Sequence, residues 1–320
     1  MAEVLVTTDY LRPGDEVDRL LTGHGHTAVY SPATGPRGRT EARALFGRAE
    51  AAIIAGEPVT AEMLDHAPRL KVIARSGVGY ESIDLAAAAR HGIRVCNTPG
   101  VNHDAVAEMT IALILATARH LPAVFDGVRA GGWPRRAGRE LRGARLGIIG
   151  YGPGGRAVAR LGHAFGMDVA VATAHPDPHH THVDFADLDA VVTTADYLSL
   201  HCRPRAGTHH LIDRARLAAM KSGAVLINTA RGSLVDHHAL HDALSTGRLG
   251  AAALDVLDHE PLPADSPLRT LDNLVITSHL AGQTTQARLR AGLAAADAVL
   301  AVLAGREPAH PVGTTEPVRP

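Results

Sequence analysis

Cysteine is scarce in this sequence, where Cys96 and Cys202 are the only two among 320 residues. Two cysteines cannot form a disulfide framework, and this pair lacks the close spacing of a metal site. We therefore expect a reducing, cytoplasmic environment and no bound metal. Both cysteines fall in strand-like segments, which is typical of inert core thiols.

A charge excess of either sign is also missing, since 32 lysines and arginines face 33 aspartates and glutamates for a net charge of -1. Without global basicity, we expect neither nucleic acid nor an anionic membrane surface as a partner. The longest apolar run, Met109 to Ala118, is too short to span a bilayer. The opening residues MAEVLVTTDY indicate a short strand and not a signal peptide. These absences favour a globular protein with small-molecule partners.

The length and the order of the elements predict two α/β domains. A chain of 320 residues is long for one core. Apolar strands alternate with helices in the N-terminal third, and the alternation restarts after the loop GGWPRRAGRELRG. This order indicates βαβ units and parallel sheets, so we predict two doubly wound, Rossmann-like domains. The dinucleotide-binding domain is predicted over 101–284. The substrate-binding domain, flavodoxin-like and discontinuous, is predicted over 1–100 plus 285–320, with a loosely ordered tail.

A glycine-rich turn, GYGPGG, follows the strand ARLGIIG and opens the helix GRAVARLGHAFG. Its GxGxxG spacing is weak alone, but a strand before it and a helix after it are the context of a dinucleotide site. The glycines allow a tight turn and close approach to a pyrophosphate, which the helix N-terminus attracts. Pro153 has no N–H, so the expected donors are Gly154, Gly155 and Arg156. A ligand-free turn is the alternative. The predicted cofactor contacts here are Gly150, Gly152, Pro153, Gly154, Gly155 and Arg156.

The next strand lacks the acidic residue that would bind the ribose 2′-hydroxyl of NAD about 20 residues on. Asp168 comes too early, and the strand MDVAVAT ends at Thr173, close to His175. Nothing there repels a 2′-phosphate, while Thr173 can donate a hydrogen bond and His175 can carry partial positive charge. Arg203 and Arg205 could come near the same ribose. The pattern favours NADP over NAD, with a pocket indifferent to the 2′ group as the alternative.

Three polar residues each follow a predicted strand: Arg231 in INTARGSLVD, Glu260 in DVLDHEPLP and His279 in ITSHLAGQT. Doubly wound folds place functional groups at such strand ends. A guanidinium can hold the carboxylate of a 2-oxo acid and polarise its carbonyl. A histidine can protonate the alkoxide formed by hydride attack, and a carboxylate on its far nitrogen orients the ring and favours imidazolium. We therefore predict Arg231, Glu260 and His279 as the catalytic residues. The alternatives are a strand-end salt bridge, a turn cap and a buried structural histidine, respectively.

The chain resembles the D-isomer-specific 2-hydroxyacid dehydrogenase family, which includes phosphoglycerate, glyoxylate/hydroxypyruvate and phosphite dehydrogenases. The match runs from about residue 45 to 285 and rests on motifs in family order. They are ARSGVGYESID, NTPGVNHDAVAEMT, GWPRRAGRELRGARLGIIGYGPGG, LHC with THHLI, INTARGSLVD, AALDVLDHEPLP and ITSHLAG.

The resemblance implies further site residues. The loop Ser76–Gly77–Val78 would bind the substrate carboxylate through backbone amides. Asp255 and Ala230 would meet the nicotinamide carboxamide, and a homodimer would form in which the loop near Trp133 embraces the partner. The other cofactor contacts predicted in the matching motifs are Thr110, Cys202, Thr208 and Gly282.

Some residues keep two interpretations. Arg75 precedes the carboxylate loop: it either adds a cation that favours a phospho-, phosphono- or dicarboxylic substrate, or it is a surface charge. Arg135 and Arg136 could reach the neighbouring subunit's cleft, although a solvated loop is the preferred interpretation. The segment HPDPHHTH over 175–182 is interpreted as an exposed loop and not as a metal site, because of its prolines.

Competing functions remain within the same motifs. A corepressor branch of the family uses the cofactor mainly as a ligand, but this chain keeps all three catalytic residues. L-type lactate or malate dehydrogenases would carry the glycines near the N-terminus. Oxidation of a phosphorus centre, as in phosphite dehydrogenases, is compatible with Arg75. We predict a NAD(P)-dependent oxidoreductase that interconverts a small anionic 2-oxo acid and its D-2-hydroxy acid.

Overall fold

A computed structural model describes residues 1–33, 35, 37–177, 179 and 182–313. The chain divides into two compact units, the first formed by 1–102 with the segment from 283 onwards and the second by 103–282. The sequence placed these boundaries after residues 100 and 284, and it assigned the last helix to the first unit.

The first 102 residues alternate strands and helices. The helices begin at side-chain caps where aspartate or threonine precedes them, as at Asp84, whose carboxylate accepts from Ala87 N at 2.8 Å. The elements are β1 (Glu3–Val6), α1 (Glu16–Gly23), β2 (Thr27–Tyr30), α2 (Arg39–Phe46), β3 (Ala51–Ile54), α3 (Ala61–Asp65), β4 (Val72–Arg75), α4 (Leu85–Arg90) and β5 (Arg94–Cys96).

The second unit opens with two helices and continues as a strand–helix alternation. Short 3-10 turns lie at Ala206–Thr208, Gly232–Leu234 and Pro267–Thr270. The elements are α5 (His103–Ala118), α6 (Leu121–Arg129), β6 (Arg145–Ile149), α7 (Pro153–Ala164), β7 (Asp168–Ala172), β8 (Asp184–Phe185), α8 (Leu188–Thr194), β9 (Tyr197–Leu200), α9 (Arg214–Ala219), β10 (Val225–Asn228), α10 (His237–Ser245), β11 (Ala251–Leu254) and β12 (Leu274–Ile276).

The chain then returns to the first unit through α11 (Thr285–Leu303) and β13 (Pro311–Val312). Helix α11 begins at Thr284, whose hydroxyl accepts from Ala287 N at 3.1 Å, and it packs on β3, β4 and α1. Gly292 allows this approach, because a Cβ there would lie 2.9 Å from Leu11 Cδ2. The sheet order β13-β5-β4-β3-β1-β2 is the flavodoxin order with an added edge strand. The predicted flavodoxin-like fold is confirmed.

The sheet of the second unit has the order β12-β11-β10-β9-β6-β7-β8, with parallel neighbours throughout. This is the doubly wound Rossmann order extended by one strand, so the predicted fold class is confirmed. The strand order reverses between β6 and β9, where such folds bind their ligands. The sheet therefore places the GxGxxG turn, which follows β6, at the switch point.

Helix α5 is apolar on most sides and packs against α7, β10 and β11. Its burial fits its sequence, since Ile111, Leu113 and Ile114 are all within the core of this unit. No single described helix is long and apolar enough to cross a bilayer; α5 and α6 would be so only together, and they are bent by 65° to each other.

Candidate active site

The contact between Glu260 and His279 is the centre of the candidate site in the second unit. Glu260 follows β11, His279 follows β12, and Glu260 Oε2 lies 2.8 Å from His279 Nδ1. The other oxygen, Oε1, accepts a hydrogen bond from Leu257 N at 2.9 Å. Both oxygens of the carboxylate are therefore fixed. The contact at Nδ1 leaves Nε2, on the other side of the half-exposed imidazole, to face a reacting group.

Burial tends to raise the pKa of Glu260, but opposing contacts hold it below its ordinary value. The largest of these is the hydrogen bond with His279, followed by the Leu257 N–H, the charge of His279 and then the charge of Arg231. Glu260 is therefore ionised at neutral pH. An ionised carboxylate beside an imidazole nitrogen is the arrangement that orients a histidine ring.

The backbone of His279 adopts a left-handed conformation, with φ of 56°. Its amide donates to Asp255 O at 2.8 Å. The Asp255 carboxylate holds the rest of the loop: Oδ1 accepts from Thr277 Oγ1 at 2.6 Å and from Leu280 N at 2.9 Å, and Oδ2 accepts from Ala281 N at 2.9 Å. Asp255 is 1% exposed. The sequence assigned Asp255 to the nicotinamide, and the structure shows it anchoring the loop that carries His279.

Arg231 follows β10, where the chain turns sharply. The buried Asn228 side chain brackets this turn, because Nδ2 donates to Arg231 O at 2.8 Å while Oδ1 accepts from Ala230 N at 3.0 Å. The Arg231 guanidinium donates to Ala230 O at 2.7 Å through Nη1. Thr110, predicted to lie near the nicotinamide, is buried beneath the same turn with its Oγ1 3.0 Å from Thr229 Oγ1. The three predicted catalytic residues thus lie at the ends of β10, β11 and β12.

The GxGxxG turn lies between β6 and α7 and has the geometry of a phosphate cradle. Gly150 has φ of 98°, and a Cβ there would lie 2.7 Å from His201 O. A Cβ on Gly155 would lie 2.1 Å from Gly150 O, so both positions require glycine. Helix α7 begins at Pro153 without a side-chain cap, which leaves its N-terminus to receive an anion. These residues fit a dinucleotide pyrophosphate.

The structure changes the set of backbone amides that the sequence predicted as donors to the cofactor. Arg156 N donates to Gly152 O at 3.0 Å within the helix, so it is not a donor to a ligand. The expected donors are therefore Gly154 and Gly155. The Arg156 side chain turns back, with Nη1 donating to Tyr151 O at 3.2 Å.

The end of β9 lies against this cradle. Cys202 N would lie 2.7 Å from a Cβ on Gly150, which places the predicted contact Cys202 beside the turn. The ring of His201 lies under Gly154 and has Nε2 2.8 Å from Ser199 Oγ. Burial lowers the pKa of His201 to about 4, so the ring is neutral at pH 7.

This buried histidine predicts an acid-sensitive fold. A lowered pKa means that the unfolded chain binds a proton below pH 6.5 which the folded chain binds only near pH 4. The contribution of the neutral His201 ring to the free energy of unfolding is therefore complete above pH 6.5 and is lost as the pH falls towards 4. Between pH 7.5 and 5, we expect the free energy of unfolding to fall by about 2 kcal/mol more in the wild type than in His201→Gln, measured by urea titration. Equal pH dependence in the two proteins would contradict this account of His201.

The predicted 2′-phosphate contacts lie on an exposed rim. Thr173 directly follows β7, and its Oγ1 accepts from His175 N at 3.2 Å. The side chains of His175, Arg203 and Arg205 are exposed. Thr208 does not point outward, because its Oγ1 accepts from Arg205 N at 2.7 Å and bonds Arg203 O at 3.1 Å. Thr208 therefore shapes the loop that carries the two arginines.

In the first unit, the predicted carboxylate loop follows β4. Ser76 N donates to Ile54 O at 2.8 Å, and Gly77 N donates to Thr98 Oγ1 at 2.8 Å. Two of the three expected amide donors are therefore engaged within the unit. Among the described residues, Val78 N donates no hydrogen bond. The donor that this loop offers to a ligand is the amide of Val78.

Arg75 lies along this loop. Its Nη1 donates to Ser76 O at 2.5 Å, and a Cβ on Gly77, where φ is 150°, would lie 2.3 Å from the same nitrogen. Gly77 is thus needed for the guanidinium to cover the loop.

Two residues near this loop carried no signal in the sequence. Tyr10 Oη donates to Ser76 Oγ at 2.7 Å, and burial is the largest cause that raises the pKa of Tyr10. The Arg288 guanidinium lies 5.0 Å from the centre of the Tyr10 ring. Both residues come from distant parts of the chain that only the folded sheet brings together.

The histidine-rich segment lies partly outside the described residues, at 178, 180 and 181. His175, His179 and His182 are exposed. Among the described residues, no cluster of histidine, cysteine or carboxylate side chains is arranged to hold a metal.

Known proteins are similar to this chain in sequence and in fold. The family described as D-isomer specific 2-hydroxyacid dehydrogenase, NAD binding domain, matches residues 111–281. Hydroxypyruvate reductase of Thermotoga maritima is 39% identical over 240 residues, which are 73% of this chain and 78% of that protein. Glyoxylate reductase of Thermofilum pendens is 40% identical over 267 residues, 79% of this chain and 77% of that one.

A solved structure is similar over nearly the whole chain. The TT0316 protein from Thermus thermophilus has a TM-score of 0.89 and 41% identity, covering 97% of this chain and 100% of that one. The chain belongs to the D-isomer-specific 2-hydroxyacid dehydrogenases, nicotinamide-dependent oxidoreductases that act on small 2-hydroxy and 2-oxo acids.

Proposed function

We propose that this enzyme reduces a small anionic 2-oxo acid to its D-2-hydroxy acid, with Arg231, Glu260 and His279 as the catalytic residues. The observation that carries the proposal is the 2.8 Å contact between Glu260 and His279 at the carboxyl ends of neighbouring strands. This contact fixes the orientation of the His279 imidazole, and imidazole is a group that can donate and accept a proton near neutral pH.

In this mechanism the bound nicotinamide supplies the hydride. Arg231 binds the substrate carboxylate with its forked donors and polarises the carbonyl. His279 donates the Nε2 proton to the carbonyl oxygen as negative charge develops there. Glu260 keeps the ring oriented and stabilises its protonated form. In the oxidative direction, the neutral His279 removes the hydroxyl proton.

The first unit supports a substrate with an additional anionic group. The guanidinium of Arg75 covers the loop that ends at Val78, and Arg288 lies close by on Tyr10. Cations at the loop favour a phospho-, phosphono- or dicarboxylic acid over a neutral side chain. Phosphonopyruvate and oxaloacetate are therefore among the test substrates.

The experiment is a panel of 2-oxo acids, including glyoxylate, hydroxypyruvate, phosphonopyruvate and oxaloacetate, assayed with NADPH and with NADH. We expect turnover of at least one acid, with the doubly anionic acids having the higher kcat/KM. An absence of turnover with either cofactor across the panel would count against the reductase proposal. A preference for uncharged side chains would refute the role of Arg75 alone.

We also propose NADP as the preferred cofactor, because Thr173 occupies the strand end where NAD enzymes carry an acid. Thr173→Asp should turn the preference towards NADH, since a carboxylate repels a 2′-phosphate and binds a 2′-hydroxyl. The measurement is the ratio of kcat/KM for NADPH and NADH, with Thr173→Asn as the uncharged control of matched size. If Thr173→Asp leaves the ratio unchanged, the argument for NADP fails.

We further propose a homodimer. The apolar side chains of Phe125, Val128 and Trp133 are exposed on α6 and the loop after it, with Trp133 81% exposed. Clusters of exposed large apolar groups are typical of contact surfaces between protein chains. Cytoplasmic location remains the expectation from the cysteine content.

A further inference from the structure

Arg231 and Glu260, two of the three proposed catalytic residues, lie on two short segments of the second unit. One runs from Arg231 through the 3-10 turn Gly232–Leu234 to the start of α10, and the other is the loop 257–260 after β11. We call them the arginine segment and the glutamate loop. Arg231 and Glu260 act together only if these two segments keep a fixed distance.

The two segments touch backbone to backbone at Gly232. A Cβ on this buried glycine would lie 2.0 Å from the carbonyl carbon of Leu257 and 2.3 Å from Asp258 N. Gly232 does not have a positive φ, so glycine is required there by space and not by conformation. The glutamate loop therefore rests directly on the residue after Arg231.

Leu257 transmits this contact to the carboxylate. Its side chain packs against the apolar core, which fixes the start of the glutamate loop. Its amide donates to Glu260 Oε1 at 2.9 Å. A displacement of Leu257 would therefore move Glu260 with it, and Glu260 would leave its place at His279 Nδ1.

A second contact joins the same two segments. His237 Nδ1, in the first turn of α10, lies 3.4 Å from Asp258 Oδ2, and both side chains are mostly buried. The other nitrogen, Nε2, is buried and has no hydrogen-bond partner among the described residues. Nδ1 is therefore the nitrogen through which His237 contacts the glutamate loop.

The charges around His237 include both signs. Burial is the largest cause that lowers its pKa; Asp258 and Asp236 oppose this, while His210 and His238 add to it. The ring is therefore mostly neutral at pH 7, and its contact with Asp258 does not depend on a positive charge.

We propose that Gly232 and His237 are positioning residues, which hold the glutamate loop against the arginine segment so that Glu260 meets His279 in register with Arg231. This inference rests on the proposed function, because the position of Glu260 matters only if Glu260 orients His279 during catalysis. Neither residue contacts the reacting atoms, and both act through the loop 257–260.

The test compares three histidine variants by steady-state kinetics with a reduced 2-oxo acid. His237→Leu removes the polar contact with Asp258, and a misplaced acid–base pair is expected to lower kcat about tenfold while the cofactor KM stays unchanged. His237→Asn keeps a polar group near the Nδ1 position, facing Asp258, and should recover most of the rate. His238→Asn, one residue further along the same helix and exposed, is the matched control and should behave as the wild type.

The pH profile of kcat separates positioning from a general loss of structure. The midpoint of the profile should move in His237→Leu, because His279 loses the fixed carboxylate of Glu260. The midpoint should stay unchanged in His238→Asn. Equal rates and profiles in His237→Leu and the wild type would overturn the role of His237, as would equally low rates in His237→Leu and His237→Asn.

Gly232→Ala tests the backbone contact. The added methyl must push the glutamate loop away, and a shift of about 1 Å at a catalytic group costs about a hundredfold in rate. Cofactor binding, followed by fluorescence titration, should persist because the GxGxxG cradle is untouched. Normal kcat in this variant would refute the role of Gly232. If His279→Ala also turns over normally, the proposed function itself fails; if only His279→Ala is inactive, this inference alone is lost.

Discussion

Replacing His279 with alanine is expected to lower kcat for 2-oxo acid reduction by about a hundredfold or more, the scale of lost general acid catalysis. The contact with Glu260 fixes the ring through Nδ1, and in the proposed mechanism Nε2 therefore delivers the proton. Binding of the cofactor should change little, because the cradle lies on another strand end. Pre-steady-state measurement of cofactor oxidation would place the loss in the chemical step.

The control for this variant follows from the backbone. His279 has a left-handed φ of 56°, a conformation that asparagine tolerates better than alanine. His279→Asn should fold with less strain and still lack an acid, so both variants should lose the same activity. Near-normal turnover in His279→Asn would remove His279 from the mechanism whatever the fate of the alanine variant.

Replacing Arg231 with glutamine is expected to lower kcat/KM by about a hundredfold to a thousandfold, because two charge-assisted hydrogen bonds to the substrate carboxylate are lost. Both parameters should suffer, with KM rising as the carboxylate loses its partner and kcat falling as the carbonyl loses its polarising charge. Arg231→Lys keeps a charge without the forked donors, and it should recover only part of the loss.

A surface arginine serves as the control. Arg214, exposed at the start of α9, pairs with Asp242 at 2.8 Å. Arg214→Gln removes a guanidinium and one surface ion pair, which contributes little to stability. Its kinetics should match the wild type. An Arg231→Gln enzyme as active as Arg214→Gln would show that Arg231 does not bind the substrate.

Both sheets could be predicted from the sequence because buried parallel strands leave continuous apolar runs. The segments AAIIAG and GAVLINTA contain β3 and β10, whose burial on both faces produces this pattern. The edge strands β2, β8 and β13 were not predicted. They are two to four residues long and partly exposed, so they show neither an apolar run nor an alternation.

The position of the candidate site was predictable, but the use of its polar groups was not. Strand ends located Arg231, Glu260 and His279, since the fold gathers such ends at one edge. The sequence could not show that Arg156 N donates a hydrogen bond within α7, or that Ser76 N donates one to Ile54 O. Hydrogen-bond partners depend on the close approach of distant segments, which leaves no trace in local spacing. The anchoring of the His279 loop by Asp255 is hidden for the same reason.

The central claim is D-specific reduction of a 2-oxo acid, and the most direct test is the configuration of the product. The purified enzyme is incubated with NADPH or NADH and the fastest-reduced acid of the panel whose product is chiral, such as hydroxypyruvate. The product is then resolved by chiral chromatography. We expect the D-2-hydroxy acid, formed in a 1:1 ratio with oxidised cofactor and lost in His279→Asn. Formation of the L-isomer, or cofactor oxidation without a hydroxy acid, would contradict it.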